Sequence, residues 1–164
     1  MTKARGEKLS NVLGKLWKHE SGYFFSDWKR NDLAELIITI LGKIKFLHEH
    51  DILMSDVNMN NILVVFPTEV YFVDTDSYQF DGFPCSVGKV KYNSPEFQEA
   101  LRGYDYSDIL RIKDDELFSV AVLLLELMFI GKWPSARRGL TEGRYGEAVQ
   151  RKIFNYPLFR ITKK

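Results

Sequence analysis

The sequence predicts an α+β domain, mainly α, carrying one small β-hairpin. Three observations predict it. Residues 32–50 hold an apolar stripe at helical spacing, and residues 117–130 form a nearly continuous apolar run of helix length. Between them lie two short strand-like runs separated by Pro67 and Thr68. The 164 residues are 45% hydrophobic, 27% charged and 14% aromatic, so one ordinary domain with ample core material is expected. That balance excludes disordered and fibrous classes.

Taken in order, residues 1–30 are ambiguous. Leu9, Val12, Leu13 and Leu16 suggest a short amphipathic helix, which Gly14 weakens. Gly22 then breaks the pattern ahead of Tyr23, Phe24, Phe25 and Trp28, an aromatic cluster suited to a core or an interface. In the helix from Asp32 to His50, Leu33, Ile37, Ile40, Ile44 and Leu47 make one stripe. Asp32 is expected as its N-cap, with Glu35 completing a capping box. Lys43, Lys45, His48 and His50 suit the negative end of its dipole.

Asn61 to Phe66 and Val70 to Val73 read as the hairpin strands. Residues 77–113 lack periodicity and contain Gly82, Pro84, Gly88, Pro95 and Gly103; such a long irregular stretch inside a domain reads as a functional loop. The 117–130 helix is expected to be buried and to end at Gly131, ahead of Pro134, and a last helix is expected near Tyr145 to Phe154. Glu126 interrupts the apolar run and faces a polar contact or an edge.

Charge is unevenly placed. Residues 132–164 hold nine Lys/Arg against two Asp/Glu, a local +7 in a chain whose net charge is +1. A solvated basic tail is the plainer reading and a surface for an acidic partner the sharper one; no interleaved aromatics point to nucleic acid. The 14-residue apolar run is shorter than a membrane span of roughly 20 residues, so no membrane is expected. The first twenty residues carry seven charged side chains and no apolar stretch of signal-peptide kind, and Cys85 is the single cysteine, so a cytoplasmic location is expected.

The chemistry-bearing stretch is Leu53-Met54-Ser55-Asp56-Val57-Asn58-Met59-Asn60-Asn61-Ile62-Leu63-Val64, followed by Val73-Asp74-Thr75-Asp76. Asn61 at the start of one hairpin strand and Asp74 at the end of the other would lie side by side. An amide carbonyl and a carboxylate are hard oxygen ligands suited to Mg²⁺ shared with phosphate oxygens. Asp56 would face the same space. In an extended segment Asp74 and Asp76 would share a face about 7 Å apart. Their repulsion, roughly 2 kcal/mol at an effective dielectric of ~20, would be relieved by a divalent ion. The competing reading is a plain Asx turn after the strand.

These residues resemble the C-terminal lobe of the protein kinase fold. Asp56 and Asn61 match H-R-D-x-x-x-x-N in spacing, Asp74-Thr75-Asp76 stands where D-F-G belongs, and Ser94-Pro95-Glu96 matches A-P-E. The nearer likeness is to a divergent bacterial branch, often linked to helix-hairpin-helix proteins. It is carried by Asp56-Val57-Asn58-Met59-Asn60-Asn61-Ile62-Leu63-Val64, Asp74-Thr75-Asp76-Ser77-Tyr78-Gln79 and Phe83-Pro84-Cys85-Ser86-Val87-Gly88.

The resemblance implies a protein kinase-like C-lobe with the N-lobe absent. Residues 1–30 would be an N-terminal segment with a lobe-linker helix, and residues 31–164 an incomplete C-lobe. It implies Asp56 as catalytic base, Asn61 and Asp74 as Mg²⁺ and nucleotide ligands, and Leu63 as the floor beneath adenine. Glu96 would be a structural acid paired with an arginine late in the lobe. The implied cofactors are ATP and Mg²⁺, both in a complete kinase domain. The implied activity is Ser/Thr kinase-like transfer of the γ-phosphate to a protein hydroxyl by a parent protein, with this chain alone inactive. The alternative is a pseudokinase-type interaction module. Implied partners are a protein substrate, a missing N-lobe or another chain over the cleft, or a second copy through an exposed cleft face.

The departures are specific. Met54 and Ser55 stand in place of the motif's His and Arg, and Asn58 replaces the lysine that steadies the transferred phosphate. Thr75 and Asp76 replace Phe and Gly, and Asp76 gives up easy access to positive φ. The buried helix has Glu116 where an Asp is usual, with Asp115 one position away. A metal site on His19, His48 and His50 and a nucleophilic Cys85 are both poorly supported by their neighbours.

Overall fold

Four helices and three strands carry the chain through the residues that the computed structural model describes, 4–18 and 27–129. In order they are β1 (Glu7–Lys8), α1 (Leu9–Lys18), α2 (Arg30–Glu49), β2 (Ile62–Phe66), β3 (Glu69–Phe72), α3 (Pro95–Ala100) and α4 (Lys113–Met128). This is the α+β, mainly α architecture that the patterning predicts. His19, Gly22, Tyr23 to Phe25, the helix end at Gly131, the 145–154 helix and the basic tail lie outside the described residues.

The amphipathic pattern at the start is a helix. Leu9, Val12 and Leu13 of α1 are buried and Leu16 packs against the same core. The hairpin gains a third strand, because β1 pairs antiparallel with β2 in the register Glu7↔Val64 and Lys8↔Leu63. Only glycine fits just before it: Gly6 has φ +115°, and a Cβ there would stand 2.9 Å from the Val64 carbonyl oxygen. On the other side β2 pairs with β3, Ile62↔Phe72, Leu63↔Tyr71 and Val64↔Val70. Ile62 and Val64 enter the core, and Leu63 alternates to the opposite face.

Helix α2 buries Leu36, Ile40 and Ile44, with Leu33, Ile37 and Leu47 along the margins of the stripe. Its start corrects the expected cap. The helix begins at Arg30, and Asp32 occupies the third helical position, where Oδ2 accepts a 2.6 Å hydrogen bond from the backbone N–H of Lys29. An acid can satisfy a helix's first turn from either end of the box, so composition alone does not fix the register.

Helix α4 packs against α2 and buries Val120, Leu123 and Leu127. It starts at Lys113, four residues before the apolar run, because Asp115 Oδ2 accepts from the Ile112 N–H at 3.2 Å and caps it. Glu126 is buried and accepts a 2.7 Å hydrogen bond from the Tyr92 hydroxyl. Burial, reinforced by that carboxylate, holds the Tyr92 phenol far above its ordinary range. No helix among the described residues is long and apolar enough to cross a membrane.

The irregular stretch is organised around Arg111. Its guanidinium lies over the Phe97 ring at 4.2 Å and the Tyr106 ring at 5.4 Å, and donates to Asn93 Oδ1 at 3.1 Å. Gly88 lies against this stack: a Cβ there would collide with the guanidinium and stand 2.6 Å from Tyr106 Cε1. Ser94 of the Ser-Pro-Glu motif is the N-cap of α3, accepting from the Phe97 N–H and donating to Asp115 Oδ1 at 2.7 Å. The pairing expected between Glu96 and an arginine late in the lobe falls outside the described residues.

Candidate functional site

Two backbone clamps bring the loop of Asp56 and the turn of Asp74 together. Leu53 and Gln79 exchange paired hydrogen bonds at 2.9 Å, and Val73 donates to the Asn61 carbonyl at 3.0 Å. Between them the chain runs from residue 53 to 61 on one side and from 73 to 79 on the other. Gln79 adds a side-chain clamp, donating to the Arg111 carbonyl at 2.7 Å and accepting from its N–H at 2.8 Å.

Asp56 is buried inside this loop. Its Oδ2 accepts from Asn61 Nδ2 at 2.9 Å, and its backbone carbonyl accepts from Asn58 Nδ2 at 2.9 Å and Asn61 Nδ2 at 3.0 Å. Asp56 Oδ1 is buried with no hydrogen-bond partner among the described residues. Such an orphan acceptor is costly unless something outside the chain meets it. Because Asn61 spends its N–H donors on Asp56, its carbonyl Oδ1 is the atom that could serve as an oxygen ligand.

Asp74 departs from the extended reading. It adopts φ 65°, ψ 46°, and residues Thr75–Ser77 form a 3₁₀ turn. Asp tolerates this left-handed conformation better than most residues, so the positive φ falls on Asp74 itself and not on Asp76, where the D-F-G glycine stands. Ser77 locks the turn, its N–H and hydroxyl both donating to the Asp74 carbonyl at 3.1 and 2.7 Å. The Asp76 carboxyl beside it raises Asp74 above its ordinary range, and the nearby charge of Asp56 adds to it.

Lys89 opposes these carboxylates. Its ammonium donates to Asn58 Oδ1 at 2.8 Å and helps to hold Asp74 down. Three carboxylates and one ammonium in one space favour a further cation. Among the described residues no group of three or more His, Cys, Asp and Glu forms a cage of its own. Mg²⁺ is ordinarily held by one or two carboxylates together with substrate phosphates, so Asn61 Oδ1 and Asp74 fit that pattern. Leu63 is half-buried on the sheet face away from the core, cross-strand from Lys8 and Tyr71.

The loop is tied to α4 through Glu116. Its Oε2 accepts from the Ser55 N–H at 2.6 Å and its Oε1 meets His48 Nε2 at 2.8 Å, with the carboxylate side chain fully buried. Glutamate therefore reaches the loop backbone itself, and Asp115 caps the helix without moving in. Met54, where the motif has His, is wholly buried in the core. His50 Nδ1 meets the Phe46 carbonyl, so both described histidines have internal partners. Burial pushes the Cys85 thiol up, and it donates to the Val87 carbonyl at 3.0 Å, a turn-forming role opposed to nucleophilicity. Sequence reasoning gave Lys89 no role, met Ser77 and Gln79 only within a motif, and placed His48 at the end of the helix dipole without its Glu116 partner.

The Asp74–Asp76 pair yields a pH prediction. A carboxyl raised in the folded state favours folding at low pH, and this advantage is lost as pH climbs through the raised value. The contribution of this pair to stability is therefore expected to fall as pH rises above about 4, the ordinary aspartate range, while Asp51, held low by Lys113, contributes in the opposite sense. Asp76→Asn should flatten that fall. Thermal unfolding of the two chains from pH 4 to 7 reads this out.

The mainly helical lobe, the clamped Asp56–Asn61 loop and the Asp74 turn are consistent with a C-lobe of protein kinase kind. Comparison with known proteins agrees at that level. The chain is 29% identical over 101 residues to protein kinase YegI of Escherichia coli (strain K12), and equally to protein kinase YegI of Escherichia coli O157:H7. Each match covers 58% of this chain and 15% of the relative, so the chain spans a small part of the curated relatives it matches. No family model matches the chain. The likeness supports a relationship to protein kinases.

Proposed function

We propose that this chain is the phosphate-handling lobe of a protein kinase-like protein that transfers the γ-phosphate of ATP to a protein hydroxyl with Mg²⁺. The observation that carries the reading is the clamped pair of segments holding Asp56, with its orphan Oδ1, among Asn61, Asp74 and Lys89. Asn61 Oδ1 and Asp74 would hold Mg²⁺, which when bound neutralises phosphate charge. Asp56 would orient the acceptor hydroxyl and take its proton, and Asn61 fixes the Asp56 carboxylate for that purpose. The reaction breaks the bond from the γ-phosphorus to the bridging oxygen and makes one to the acceptor oxygen; the electron pair leaves with ADP. Leu63 would lie beneath adenine.

The test is transfer from γ-labelled ATP by the full reading frame containing this chain, measured as self-labelling and on a mixed histone acceptor. Labelling that requires Mg²⁺ is expected, with none from residues 1–164 alone. Absence of both transfer and Mg-ATP binding in the full reading frame contradicts the proposal. Mg-ATP binding without transfer would point to a pseudokinase-type module, the reading that Asn58 and Thr75 favour.

A further inference from the structure

We infer that Lys89 supplies, from the segment leading to α3, the phosphate-steadying ammonium that the Asp56 loop itself lacks. This rests on the phosphoryl-transfer reading above. The loop carries Asn58 where Ser/Thr kinases have that lysine, and the structure fills the gap from 31 residues further on. Lys89 Nζ donates to Asn58 Oδ1 at 2.8 Å, so the amine is fixed to the very residue that replaced it.

The acceptor is rigid. Asn58 is 1% exposed, donates to the Asp56 carbonyl at 2.9 Å and accepts from the Asn60 N–H at 3.0 Å. The backbone of Lys89 is fixed as well, its carbonyl accepting from the N–H of buried Tyr92 at 2.8 Å, and Tyr92 in turn bonds Glu126 on α4. An ammonium has three donors and the amide oxygen takes one of them.

The surroundings leave its charge available. Among the described residues no carboxylate lies within ion-pair distance of Lys89 Nζ. Burial lowers its affinity for a proton, as do Lys91 and Lys8, whereas Asp56 and Glu126 draw it toward the charged form. A half-buried cation beside the base, held by an amide and not cancelled by an acid, suits a transient anion. The transferred phosphoryl oxygens are such an anion, and Lys89 would donate hydrogen bonds to them without giving up a proton. Asn58 would then be a positioning residue.

The experiment is γ-labelled ATP transfer by the full reading frame, with kcat and the ATP KM measured separately. Lys89→Met is expected to lower kcat about a hundredfold, the scale of losing one transition-state donor, with KM for ATP within about threefold. Lys89→Arg should keep part of the rate, and Asn58→Lys placed in the Lys89→Met background should recover about tenfold by restoring the amine from the loop. Matched thermal midpoints show that the variants fold. A Lys89→Met enzyme at the unsubstituted kcat overturns the assignment and leaves the proposed function standing, and so does a double variant no faster than Lys89→Met. An unsubstituted protein without transfer overturns both.

Discussion

Replacing Glu116 by alanine is expected to cost about 3 kcal/mol of folding stability, from an orphaned buried N–H and the loss of a buried hydrogen bond to His48. The carboxylate is fully buried and joins three elements: α4 that carries it, α2 through His48, and the Asp56 loop through the Ser55 N–H. Ser55 has φ 61°, a conformation that a non-glycine residue keeps only when its surroundings hold it. With the acceptor gone, that strain has no compensation and the N–H is left without a partner in a water-poor site. A fall in thermal midpoint of roughly 6–12 °C is expected for a chain of this size. Glu116→Gln keeps one carbonyl oxygen for Ser55 and should lose less. Thermal and urea unfolding measure both. A midpoint unchanged by Glu116→Ala would mean that α4 does not support the loop.

The second large effect is on transfer, and it separates from stability by sign. Asp74→Asn in the full reading frame is expected to lower the transfer rate about a thousandfold, through loss of a charged metal ligand on top of ordinary donor effects. Asparagine tolerates the left-handed backbone of position 74, and both Ser77 bonds go to the backbone carbonyl, so the turn survives. The repulsion with Asp76 and Asp56 disappears. Folding stability without metal should therefore stay level or rise while transfer collapses. A transfer rate within threefold of the unsubstituted protein would remove Asp74 from the chemistry.

Particular residues show what could be read in advance. The stripe through Ile40 and Ile44 and the apolar run through Leu123 predict α2 and α4, because one-sided burial writes its period into the sequence. Two short strand-like runs flanking Pro67 and Thr68 likewise predict the hairpin of β2 and β3. Strand β1 is two residues long and exists only because β2 offers an edge, so no local pattern announces it. Motif spacing places Asp56, Asn61 and Asp74 near one another, but not the αL turn, which depends on Ser77 closing onto the Asp74 carbonyl. Lys89 and His48 are legible only in three dimensions, since their partners Asn58 and Glu116 lie 31 and 68 residues away.

The most direct test uses Mn²⁺ in place of Mg²⁺ as a paramagnetic probe, with ATP, on the full reading frame isotopically labelled in this segment. Selective broadening of the amide signals of Asn61, Asp74 and their neighbours at millimolar ATP or below is the predicted result. Signals from those residues that stay sharp while remote acids such as Asp105 and Asp114 broaden would contradict a metal–phosphate site between the two clamped segments.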